Sequence, residues 1–171
     1  MERPLEELKS VELPPFVRAC RNDIESVMTA HVRYRALDPE FPATLSQRIV
    51  NGLLRQQLGY EGVVFSDDME MKAINKNYGD EEAVALCVRA GIDVILCCHD
   101  LAKAMGAFEF LYAEAERDPA VRAQVEMSYR RITRLKQRYL NRFTGAGKRE
   151  LRERLTQLDH QRIVDEIHGS L

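Results

Sequence analysis

The segment Glu61 to Met71, reading Glu-Gly-Val-Val-Phe-Ser-Asp-Asp-Met-Glu-Met, constrains the fold more than any other stretch of the chain. Val63, Val64 and Phe65 make a short, β-branched apolar run of the kind found in strands buried on both faces, and Gly62 marks its start. Such strands belong to parallel sheets covered by helices, and those folds place their reactive groups at the carboxyl ends of the strands. Ser66, Asp67 and Asp68 occupy that end. Two readings of Asp67 are open at this point. Followed three residues later by Glu70, it has the spacing of a capping box and would close the first turn of a helix. Otherwise its carboxylate is offered to a substrate.

Two more apolar runs, Ser26 to Ala30 and Ile92 to Cys98, recur at roughly the spacing of a βαβ unit. Between the first pair, Leu45, Ile49, Leu53, Leu54 and Leu58 make the apolar stripe of a helix that Gly59 can stop. Between the second pair, Ala83, Val84, Leu86, Cys87 and Val88 repeat the pattern in a helix from Glu81 to Ala90 that ends at Gly91. Leu101 to Glu116 and Val121 to Leu140 predict two further helices, parted by Asp118-Pro119. Upstream, Leu5, Leu8, Val11 and Leu13 are spaced for a helix, which Pro14-Pro15 interrupts before a second short helix from Phe16. The alternation predicts an α/β fold with three adjacent parallel strands, 26 to 31, 62 to 66 and 92 to 98. His31, Ser66, Asp67 and His99 then gather at one carboxyl edge. After Leu140, Thr144-Gly-Ala-Gly-Lys148 reads as a linker or turn. Leu151, Leu155, Leu158, Ile163 and Ile167 follow with the spacing of one or two amphipathic helices. The expected division is therefore 1–141 and 142–171.

A chain of 171 residues that is 45% hydrophobic and 30% charged can bury one ordinary core. Its net charge of -2 gives no electrostatic pull toward nucleic acid or anionic lipid. No apolar stretch approaches the ~18 residues of a membrane span, and the N-terminus lacks the apolar core of a signal peptide, so a cytoplasmic protein is expected. Cys20, Cys87, Cys97 and Cys98 form no CxxC pair and have no His at ligand spacing, so no metal site is expected. Cys97 and Cys98 read as packing thiols on opposite faces of the third strand. The glycines make no phosphate loop, and no nucleotide cofactor follows.

The words Tyr60-Glu-Gly-Val-Val-Phe-Ser-Asp-Asp-Met69 closely resemble the nucleophile strand of glycoside hydrolase family 3, its bacterial β-N-acetylhexosaminidase branch in particular. The resemblance continues in family order through Val27-Met-Thr-Ala-His-Val32, Ala36-Leu-Asp-Pro39, Pro42-Ala-Thr-Leu-Ser46, Leu58-Gly59 and Ala90-Gly-Ile-Asp-Val94. It implies part of a (β/α)8 TIM-like barrel, strands six to eight with their helices, followed by C-terminal helices. It makes Asp67 the nucleophile of a retaining double displacement. His31 then contacts sugar or serves the structure, Asp68 is structural or orienting, and Met69 lines the pocket or fills the core. The implied substrate carries terminal β-linked N-acetylglucosamine, often from cell-wall material being recycled, and the chemistry needs neither metal nor organic cofactor. In the family, the loop that bears the acid/base histidine lies upstream of the segment corresponding to residue 1. The isolated chain is therefore expected to be inactive, with neither His31 nor His99 taking that role. Three strands of a barrel leave two sheet edges open, which are templates for self-association. The alternative reading is a non-catalytic α/β relic or interaction module in which Asp67 is only a helix cap.

Overall fold

The computed structural model describes residues 3–141, 145, 147–155 and 158–169. The linker expected at 144 to 148 falls mostly outside these residues, as do the side chains of Leu155 and Leu158. Three strands, β1 (Ser26–Met28), β2 (Val63–Asp68) and β3 (Val94–Leu96), form one parallel sheet in the order β1-β2-β3. Ser26 pairs with Val63 and Met28 with Phe65, and Phe65 in turn faces Val94. The three adjacent parallel strands expected from the alternation are present, and they make part of a (β/α)8 barrel. Both outer strands are shorter than expected, because each has a neighbour on one side only. His31, Cys97 and Cys98 thus lie beyond the strands.

The N-terminal segment turns helically through α1 (Leu5–Glu7), a wide π-type turn Leu8–Glu12, and α2 (Leu13–Arg21). Pro14 and Pro15 do not interrupt it. They occupy the first turn of α2, where a missing N–H leaves no intrahelical bond unmade. The expected Leu45–Leu58 helix is divided: a 3-10 turn covers Ala43–Leu45, and a π-type helix runs over Arg48–Gln57. Ser46 makes the break. Its hydroxyl donates to Asp38 Oδ2 at 2.6 Å and accepts the Ile49 N–H at 3.1 Å, so the longer helix begins behind it.

Next come α3 (Lys72–Asn75) and α4 (Asp80–Ala90), then α5 (Leu101–Arg117) and α6 (Pro119–Leu140). Gly59 and Gly91 follow their helices at φ +69° and +100°, the left-handed conformation that a side chain resists. The core lies between the sheet and the helices Arg48–Gln57 and α4, and is built on Leu45, Val50, Leu54, Val64, Cys87 and Ile92. Beneath the sheet, the fully buried Asp93 carboxylate accepts from Arg55 (2.6 Å), Val64 N–H (2.8 Å), Ser128 (2.8 Å) and Arg131 (3.0 Å). That cluster fastens the Arg48–Gln57 helix, β2 and α6 to one point.

The chain divides into two compact units, Met1–Arg138 and Tyr139–Leu171. The second contains α7 (Lys148–Leu155) and α8 (Leu158–Gly169), laced by exposed pairs such as Arg154–Glu150 and Arg162–Glu166. No helix among the described residues is long and apolar enough to cross a membrane.

Candidate active site

Asp67 and Asp68 close β2, and the ladder slips just there. Phe65 lies opposite Val94 and Asp68 opposite Leu96, so three steps along β2 match two along β3. Such a bulge leaves a strand donor without its ordinary ladder partner and re-aims the side chains around it. Ser66 compensates: its fully buried hydroxyl oxygen accepts the Leu96 N–H at 2.9 Å.

The two carboxylates that follow meet different surroundings. Asp68 Oδ1 accepts the N–H groups of Glu70 (3.1 Å) and Cys98 (3.3 Å), while Oδ2 lies 3.2 Å from His99 Nδ1. Burial pushes the Asp68 carboxyl up, but the two N–H groups and His99 outweigh it and hold it below the ordinary carboxylate range. Asp67 is half-buried, and its Oδ1 accepts the Asp68 N–H at 2.8 Å. That bond steadies the Asp67 carboxylate without joining it to another element. Asp68, by contrast, clasps the turn after β2 to the loop after β3.

Glu70 forms a second clasp. Its carboxylate accepts the His99 N–H at 2.6 Å and the Asp100 N–H at 3.0 Å. Asp100 then caps α5 by accepting the Ala102 N–H at 2.8 Å. The capping-box reading of Asp67 and Glu70 is overturned by this geometry. No helix starts at Met69: β2 runs through Asp68, a turn follows, and α3 begins at Lys72. Asp67 accepts from the adjacent residue, and Glu70 is already held by the loop after β3.

His31 lies three residues past β1. Its Nε2 sits 2.9 Å from the Asp68 carbonyl oxygen, and its Nδ1 sits 2.9 Å from Thr44 Oγ1. A carbonyl only accepts, so Nε2 carries the proton that it donates, and Nδ1 shares a hydrogen bond with the Thr44 hydroxyl. Thr29 Oγ1 lies 2.9 Å from the same Thr44 oxygen and extends the chain to the residue that follows β1. Beside the ring opens a depression of about 320 Å³ lined by His31, Arg33, Arg35, Pro42, Asn77 and Tyr78.

The structure thus brings His31, Asp68 and His99 around the end of β2, with Asp67 adjoining them. Met69 goes elsewhere: it is 8% exposed, and its sulfur lies 3.7 Å from the Cys87 sulfur in the core. Cys97 packs against that core, whereas Cys98 is exposed. The expectation of two packing thiols fails because β3 ends at Leu96, before strand alternation could bury Cys98. Thr44 and Glu70 are the positioning residues that sequence reasoning missed. The signal for Thr44 was a short polar residue inside Pro42 to Ser46. For Glu70 it was the spacing already noted and assigned to the wrong partner.

Comparison with known proteins gives this geometry a family. The glycosyl hydrolase family 3 N terminal domain matches residues 1–135. A beta-hexosaminidase of Xanthomonas oryzae pv. oryzae is 45% identical over 97 residues, 57% of this chain and 29% of that protein. Among solved structures, a family 3 beta-N-acetylglucosaminidase from Paenibacillus sp. superposes with a TM-score of 0.79 at 38% identity, covering 86% of this chain and 28% of that one. The beta-N-acetylglucosaminidase from Thermotoga maritima gives 0.72 at 36% identity, covering 79% and 30%. The chain spans less than a third of each of these relatives. With a parallel sheet, a carboxylate at the end of its central strand, and a family match over most of its residues, this chain belongs to the glycosyl hydrolase family 3 N terminal domain.

Proposed function

We propose that the chain is the C-terminal part of a retaining β-N-acetylhexosaminidase barrel with Asp67 as its nucleophile. The observation that carries this reading is the division of labour at the end of β2. Asp68 is committed to holding loops, which leaves Asp67 as the carboxylate of the pair that no loop has claimed. In the proposed reaction an Asp67 oxygen bonds to the anomeric carbon as the glycosidic C–O bond breaks, and an acid protonates the departing oxygen. Water then attacks the same carbon and releases Asp67. His31 orients the Asp68 carbonyl at the rim of the sugar site, and the adjoining depression takes part of the substrate. A terminal β-linked N-acetylglucosaminide is the substrate we assign, from resemblance to relatives bearing that name.

The test uses a barrel completed by joining residues 3–141 behind the first five strands of the Thermotoga maritima relative. A 2-deoxy-2-fluoro glycosyl donor slows release of the covalent intermediate, and mass spectrometry then reads the labelled peptide. Label on Asp67 is the expected result. Label on Asp68 overturns the assignment, and label on neither residue overturns the double displacement.

By itself the chain is proposed to be inactive, its acid/base loop being supplied from elsewhere in the barrel. Open edges on β1 and β3 support self-association between two copies, and Met28 on β1 is 57% exposed. Four free cysteines fit a reducing compartment, and we assign the protein to the cytoplasm and to the recycling of cell-wall sugars. The division into 1–141 as barrel and 142–171 as linker and helical tail is kept as part of this proposal.

A further inference from the structure

Two loops that begin 30 residues apart in sequence bring together an imidazole and two carboxylates outside the proposed reaction. His99 Nδ1 lies 3.2 Å from Asp68 Oδ2 and 3.6 Å from Glu70 Oε2. Asp68, Glu70 and His99 each offer a ligand atom, all within 4.8 Å of one another. A charge-assisted N–H···O bond is tighter than this, about 2.7–2.9 Å. The ring nitrogen stands between two carboxylate oxygens, at the long end of an N–H···O bond to Asp68 and beyond that range to Glu70. The spacing also suits a shared ion. Two donors each about 2.1 Å from a tetrahedral zinc ion are separated by about 3.4 Å; the two distances from His99 Nδ1, 3.2 and 3.6 Å, bracket that value, and the two carboxylates lie within 4.8 Å of each other.

The donors are already oriented for such a task. Glu70 is held by the His99 and Asp100 N–H groups, and Asp68 by those of Glu70 and Cys98. Ligands held by hydrogen bonds to their neighbours are characteristic of metal sites. The carboxylate side chains are only 15% and 12% exposed, whereas the imidazole is 78% exposed, so an ion has a route in from solvent. Cys98 is exposed, and its backbone N–H donates to the Asp68 carboxylate at 3.3 Å, which keeps a thiol-bearing residue beside the three donors. An imidazole, two carboxylates and a neighbouring thiol suit a zinc-class ion. Calcium takes six to eight oxygens at longer range.

We propose that Asp68, Glu70 and His99 form a binding site for one zinc-class divalent cation, which ties the turn after β2 to the loop after β3. The inference does not rest on the assigned nucleophile or substrate. Its effect is to stiffen the carboxyl edge on which Asp67 stands.

The test is calorimetric titration of the full chain with zinc, paired with the visible spectrum of the cobalt(II) form and a thermal melt. One equivalent taken up, four-coordinate cobalt bands and a rise in melting temperature are expected. His99→Ala removes an exposed ring and leaves the fold intact, so its metal-free melt should match the parent while zinc affinity falls at least about tenfold. Glu70→Gln keeps one acceptor for the backbone N–H groups and should weaken zinc in the same direction. Uptake unchanged by His99→Ala would assign the ion to the tail histidines, His160 and His168, and overturn the proposal. Loss confined to Cys98→Ser would show a thiol adduct and overturn it too, as would the absence of stoichiometric uptake.

Discussion

Two adjacent aspartates with similar intrinsic acidity are separated here by what accepts and what donates around them. Asp68 meets two backbone N–H groups and an imidazole, while Asp67 meets the N–H of its neighbour. In the completed barrel, Asp67→Asn is expected to lower kcat by on the order of 10⁴ or more, the scale of losing a nucleophile. Asp68→Asn keeps an acceptor for both N–H groups, so its loss should be much smaller; steady-state kinetics on both variants decides the order. A reversed order would refute the assignment of Asp67. Asp93 shows the same logic applied to stability. Its carboxylate has no exposed surface and faces two guanidinium groups, of which Arg55 is only 9% exposed. Asp93→Ala strands those cations, and urea unfolding should show a loss of about 3–5 kcal/mol.

Among the elements, the Arg48–Gln57 helix depends most visibly on one polar anchor. Ser46 caps its start and is itself held by Asp38, which also accepts the Glu40 and Phe41 N–H groups. Replacing Ser46 with Ala removes the cap, and chemical denaturation should register about 1–2 kcal/mol. Burial pushes the Asp38 carboxyl up, but the Ser46 hydroxyl, the two N–H groups and Arg48 together bring it below its ordinary value. A folded-state pKa lower than the unfolded one stabilises the fold fully above about pH 4, the unfolded value. That contribution is lost as the pH falls through the lower folded value. Asp38→Asn should therefore flatten the acid limb of stability measured by urea melts across that range, and an unchanged acid limb would show that other carboxylates govern it.

At the scale of the whole molecule, three parallel strands present two unpaired edges, and the sheet's partners in a closed barrel lie in parts of the relatives that this chain does not span. Sedimentation should accordingly show concentration-dependent association of the isolated chain. Met28→Lys on the exposed edge strand should shift it toward monomer, because a lysine resists edge-to-edge pairing. A monomer at all concentrations would count against the paired-edge reading. If, as proposed, the proton donor is supplied from elsewhere in the barrel, the same chain should not turn over an ordinary β-N-acetylglucosaminide, since loss of that donor alone costs ~10² to 10⁴ in rate. Turnover that disappears in Asp67→Ala would show the site to be complete after all.

The strand and helix units were legible in the amino-acid sequence because their information is local. Val63, Val64 and Phe65 want burial, helical stripes are periodic, and Gly59 and Gly91 stand where a chain must leave a helix in the left-handed conformation. The placement of Asp67 and Asp68 at the end of the central strand was legible for the same reason. What the two carboxylates do there was not local. The slip between β2 and β3, the Ser66 bond to Leu96, and the clasp of Asp68 and Glu70 on a loop some 30 residues away all depend on which strand lies beside which. Sequence spacing alone reads Glu70 as the partner of Asp67 three residues back; only the folded chain brings it to His99 and Asp100, whose N–H groups its carboxylate satisfies.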